Sequence, residues 1–121
     1  MATRTATITK LSTYGDQTLI VLWSGLTNTT TDSGSAFENP GWADRSIQVT
    51  GTFGTGGSVR IQGSNDGTNW AVLTDPQGND LNITTAKIEQ VSEITRYIRP
   101  LITAGDGTTS LAVTMLVRKG F

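Results

Sequence analysis

The 121-residue sequence contains no cysteine and no histidine. The first absence removes disulfides and thiolate metal sites. The second removes the commonest metal ligand and the commonest general base. Charge is scarce as well. Lys, Arg, Asp and Glu make up 16% of the chain and the net charge is −1, so the basic stripe that grips nucleic acid is missing. No apolar run is long enough to cross a membrane, the longest being residues 19–23. The first ten residues, MATRTATITK, lack the apolar centre of a secretion signal. The expectation is a protein made and assembled in a cytoplasm, with neither nucleic acid nor membrane as partner.

Without His and Cys, catalysis would need a carboxylate pair, a Ser–Lys pair or a metal held on oxygens. Three of the seven aspartates sit in turn contexts, Asp66-Gly67, Asp75-Pro76 and Asp106-Gly107, where Asp caps its own backbone. Lys10, Lys87 and Lys119 have no serine at a recognisable catalytic spacing. The stretch GSNDGTNW (63–70) offers clustered oxygens. With Gly67 in the glycine position of a calcium loop, however, Gln62 and Leu73 occupy the two anchoring carboxylate positions. It reads as a hairpin turn. No catalytic residue, metal or cofactor is expected.

What the chain has is threonine, 22 of them, and period-2 alternation after residue 16. TLIVLWSG (18–25) is apolar on both faces, as a strand covered on both sides would be. RSIQVTGTF puts Ile47, Val49 and Phe53 on one face. GTGG (54–57) then turns the chain, and SVRIQGS returns with Val59 and Ile61 inward, a predicted hairpin. NWAVLTD (69–75) is the next strand. RYIRPLIT and SLAVTMLVRK flank AGDGTT as a last predicted hairpin, with Leu111, Val113, Met115 and Val117 on one face. Short strands with frequent turns predict an all-β fold, an antiparallel sandwich or barrel.

Four regions carry the remaining questions. Residues 1–12 form an extended arm ahead of a single domain (13–121). Its Thr alternation carries Ile8 and the basic Arg4 and Lys10, and it is either a frayed terminus or a strand that pairs with a neighbouring subunit. Residues 27–44 lack periodicity and read as a long loop. There Trp42 with Phe37 is either an interface anchor or folded back over the end of the sandwich. Residues 85–94 place Ile88, Val91 and Ile94 three apart and stay open between a short helix and a bent strand. Trp23 and Trp70 lie in apolar strand patterns and are expected in the core. Arg96 and Arg99, three apart, cannot share one face of a flat strand.

IQGSNDGTNWAVL, RYIRP and AGDGTTSLAV together resemble the decoration, or cement, proteins of tailed bacteriophage heads, over roughly residues 45–119. GSNDGTNW followed by RYIRP is also similar to discoidin-type domains. Those are longer and secreted and commonly carry a cysteine pair, so that likeness adds support for a jelly-roll-like sandwich and little for sugar or lipid binding. The first resemblance implies a virion structural protein on the capsid exterior. It would bind the major capsid protein of an assembled icosahedral shell, commonly as a trimer at local three-fold positions. The alternatives are a carbohydrate-binding or host-adhesion module, and another phage part such as a tail or head-fibre subunit.

Overall fold

The computed structural model describes residues 2–11, 18–29, 31–38 and 41–119. Twelve strands appear in chain order among them: β1 (Thr3–Arg4), β2 (Thr7–Lys10), β3 (Thr18–Thr27), β4 (Ser33–Gly34), β5 (Phe37–Glu38), β6 (Trp42–Thr52), β7 (Ser58–Ser64), β8 (Ala71–Val72), β9 (Asn82–Ile83), β10 (Lys87–Gln90), β11 (Tyr97–Ala104) and β12 (Ser110–Lys119). They form two sheets. Sheet A runs β1-β4-β11-β7-β8, with β5 also on β11 and β9 on β7; sheet B runs β10-β6-β12-β3-β2. All pairings are antiparallel except β1 with β4. The fold is the expected β-sandwich.

Alternation decides which side chains meet between the sheets. Leu19, Val21 and Trp23 of β3, Ile47 and Val49 of β6, and Leu111, Val113, Met115 and Val117 of β12 are buried from sheet B. Val59 and Ile61 of β7 and Ile98 and Ile102 of β11 meet them from sheet A. The alternation of β3 breaks once. The register slips between Leu111 and Val113, so Ser24 and Gly25 together oppose Ala112, and Gly25 takes φ +67°. This bulge returns Leu26 to the core, where it is fully buried.

Two of the three turns predicted as hairpins, GTGG and AGDGTT, prove to be crossings between sheets. β6 and β12 belong to sheet B, whereas β7 and β11 belong to sheet A, so residues 53–57 and 105–109 each carry the chain across the sandwich. The two crossings are tied together. Asp106 accepts the Thr55 N–H at 2.8 Å, and Thr109 Oγ1 donates to the Phe53 carbonyl at 2.7 Å. Alternation specifies which face a strand buries but not which sheet it joins. The 64–70 turn, by contrast, does join antiparallel neighbours, β7 and β8.

The described residues of 27–44 are not all loop, since they include β4, β5 and the start of β6. Pro100 explains why β4 and β5 are separate pieces. Ile102 N–H donates to the Asp32 carbonyl, so by alternation the N–H that Pro100 lacks would also have faced this side. The ladder breaks opposite it. Trp23 fixes the segment from the other sheet, its indole N–H donating to the Ser35 carbonyl at 2.9 Å. Within residues 85–94 no helix forms; Lys87–Gln90 are strand β10, paired with β6.

Within the arm, β1 and β2 pair with strands of their own chain. β1 pairs with β4 and β2 with β3. Ser33 and Ser35 donate their N–H groups to the carbonyls of Ala2 and Arg4 at 2.9 and 2.8 Å. Pairing within the chain avoids the entropy lost on association.

Gly34 is set by close approach. A Cβ there would lie 2.4 Å from Trp23 Cδ1 and 2.6 Å from Pro100 Cδ. Gly34→Ala is therefore expected to cost about 1–3 kcal/mol by overpacking, read as a lower melting temperature. Gly107→Ala, with nothing within 4 Å of the added atom, should shift it little. Equal shifts in the two variants would contradict this packing.

Candidate interaction surface

The outward face of sheet A is built from the residues that alternate with its core. Across β7 and β11 the pairs Tyr97–Ser64, Arg99–Gln62 and Leu101–Arg60 face out. Gln62 also stands opposite Val72 of β8, and Trp70, two residues earlier, shares that face. The Arg99 guanidinium lies 4.0 Å from the centre of the Trp70 ring, while its Nε donates to Gln62 Oε1 at 3.0 Å. Trp70 and Tyr97 are tilted neighbours with centroids 6.5 Å apart. Arg96 covers Tyr97 at 4.9 Å and donates from Nε to Glu38 Oε2 at 2.8 Å. The result is a ladder, Glu38–Arg96–Tyr97–Trp70–Arg99–Gln62, with Arg60 beside it.

Two expectations are corrected here. Trp70 is half-buried on the surface and not in the core. It lies three residues before the buried Leu73 and hence on the opposite face of the chain. Arg96 and Arg99 do reach one face, because Arg96 precedes β11 and its N–H is turned to Asn65 Oδ1 at 2.9 Å. Two aromatic rings then fill the space between the guanidinium groups.

Electrostatically the ladder is graded. Burial lowers the Arg99 pKa from its ordinary value, whereas the hydrogen bond to Glu38 raises that of exposed Arg96. Arg60 has a buried Nε without a hydrogen-bond partner. Among the described residues neither Arg60 nor Arg99 has a carboxylate partner. Stacked guanidinium and aromatic groups of this kind are what protein interfaces concentrate at their energetic centres.

The residues singled out from sequence are placed elsewhere and are not brought together. Arg4 faces its own chain: Nε and a terminal nitrogen each lie 2.8 Å from Asp32 Oδ2. That carboxylate is fully buried and also accepts the N–H and hydroxyl of Thr27, as a buried charge requires. Ile8 is 53% exposed on edge strand β2, and Lys10 is exposed at its end. Phe37 belongs to the core at 9% exposure. Trp42 is half-buried against the core, with the Lys119 ammonium 5.4 Å from its ring centre. Phe37 and Trp42 lie in different sheets.

Sequence reasoning also missed a buried arginine. Arg45 points into the sandwich at 3% exposure, donating to the carbonyls of Trp42 and Glu93. Burial lowers its pKa, opposed by the charges of Glu93 and Asp44. Burial also pulls the Glu93 carboxyl upward, but the Thr74 hydroxyl and N–H, with Arg45, hold it below its ordinary value. This cluster pins residues 91–94 to β6. A shallow cleft of about 330 Å³ beside it is lined by Asp44, Arg45, Ser46, Gln90, Leu116 and Arg118. Arg118 and Asp44 neutralise each other there at 2.6 Å.

In the 64–70 turn the Asp66 carboxylate is satisfied by the turn itself. It accepts the N–H groups of Thr68 and Asn69, each at 2.8 Å, together with the Ser64 hydroxyl and the Asn69 amide. Hydrogen bonds from Asn69 first, then from Thr68 and Ser64, hold the carboxyl well below the usual range. Asp106 is depressed likewise by Thr108 and Thr55.

No family model matches the chain, and no curated protein sequence matches it. Among solved structures, the crystal structure of the SPBc2 prophage-derived protein YomS is similar, with a TM-score of 0.59 at 10% identity, covering 83% of this chain and 93% of that one. The likeness shows a shared fold.

The turn predicts a pH dependence. Because the Asp66 carboxyl is depressed in the folded state, its contribution is present above the unfolded value of about 3.9 and is lost as pH falls through the folded one. Thermal melts of Asp66→Asn and the unaltered chain should differ most near neutral pH and converge as pH falls below about 4. A difference independent of pH would contradict the role given to the carboxylate.

Proposed function

We propose that this chain is a structural protein of a tailed bacteriophage. It would be a decoration subunit that attaches to the outside of an assembled head and acts by contact and not by catalysis. The observation that carries the reading is the outer face of sheet A, where Trp70, Tyr97, Arg96 and Arg99 form one stacked ladder. Support comes from the fold shared with a prophage-derived protein and from the likeness of the strand-and-turn phrases to decoration proteins. The proposed partner is the major capsid protein. Arg60 and Arg99 suit acidic groups on that shell, and the stacked rings suit apolar ones. Two such arginines on a chain of net charge −1 fall short of a nucleic-acid stripe.

A sugar-binding module would use the same aromatic pair. Its platform is compromised, because Arg99 covers the Trp70 ring at 4.0 Å and the two rings are inclined by 46°.

Co-sedimentation with purified phage heads lacking the protein tests the proposal. The intact chain should bind, and Trp70→Ala or Arg99→Ala should weaken binding by about tenfold or more. Both variants should keep the melting temperature within a few degrees, since neither side chain is in the core. No binding of the intact chain to heads, or variants that bind as well as the intact chain, would refute the attachment face.

A further inference from the structure

We propose that β10 is a self-complementary edge through which two copies of this chain join their five-stranded sheets across a two-fold axis. This goes beyond attachment to a head and does not depend on it. β10 ends sheet B and pairs with β6 on one side. Just past it in the same ladder, Val91 N–H donates to the Arg45 carbonyl at 3.0 Å. By alternation the backbone groups of Lys87 and Glu89 also face β6, and those of Ile88 and Gln90 face outward. Such an edge templates another strand.

The sequence of the edge, Lys87-Ile88-Glu89-Gln90, selects the register. Two copies of one antiparallel edge must match outward-facing residues with outward-facing ones, so the two-fold axis passes at a residue. An axis at Lys87 sets two ammonium groups opposite each other, one at Glu89 sets two carboxylates opposite each other, and one at Gln90 would need the Ser92 N–H, which already donates to the Thr74 carbonyl at 2.9 Å. With the axis at Ile88, Lys87 of each copy stands opposite Glu89 of the other. The two Ile88 side chains, each 62% exposed in the single chain, then cover one another. Opposite charges and apolar pairs across strands stabilise, and like charges destabilise.

The other edge of sheet B offers no comparable selection. Leu11 N–H donates to the Thr18 carbonyl, which turns Ile8 outward, but pairing there sets Thr7 against Thr9 without opposed charges. A two-fold pair closes on itself, and so points to a dimer in place of the trimer that the family resemblance implies.

Sedimentation velocity on the intact chain, over a dilution series and without phage particles, tests this. The unaltered chain should show a monomer–dimer equilibrium. Lys87→Glu and Glu89→Lys should each weaken it by about tenfold or more. An equimolar mixture of the two variants should recover the dimer, because one copy then presents two carboxylates to two ammonium groups. Ile88→Pro removes an N–H that only the partner would use, so it should abolish the dimer and leave the melting temperature nearly unchanged. A chain that stays monomeric at every concentration would overturn the proposal. So would single variants that associate like the unaltered chain, or a mixture that fails to recover.

Discussion

Trp23 ties the two sheets together, and the segment that it holds leads to the surface ladder. The ring rises from β3 into the core, and its N–H reaches the Ser35 carbonyl of the opposite sheet. That approach is open only because residue 34 has no side chain. The anchored segment carries β4 and β5, which pair with β11, and β11 presents Tyr97 and Arg99 outward. A packing constraint in the core thus fixes where the surface ladder stands.

With neither histidine nor cysteine, the chain has chemistry mainly in its carboxylates and arginines. Most of these have local structural work. Asp66 and Asp106 organise turns, Asp32 fastens the arm, and Arg45 secures residues 91–94. The outer face of sheet A differs. There Arg96 and Arg99 stack on Tyr97 and Trp70 at the surface, an arrangement better suited to meeting another surface than to holding the fold.

The inner faces were legible because burial and period 2 report the same thing. Leu111, Val113, Met115 and Val117 of β12 could be read directly, as could Val59 and Ile61 of β7. The sheet that each strand joins was not legible, because a crossing such as GTGG and a hairpin use the same turn residues. The outward position of Trp70 is masked by its apolar neighbourhood, which hides parity, although counting back from the buried Leu73 turns it outward. The surroundings of Arg4 and Phe37 are not legible locally, because nothing near Arg4 announces Asp32, 28 residues away, and nothing near Phe37 announces the break in the ladder that Pro100 imposes.

Attachment through the outer face of sheet A is the central claim, and electron cryomicroscopy of the native phage particle tests it most directly. The claim predicts density for this sandwich on the head exterior, with Trp70, Tyr97 and Arg99 against the shell and acidic groups of the capsid protein near Arg60 and Arg99. A sandwich whose sheet A faces solvent, or a head without this density, would contradict it.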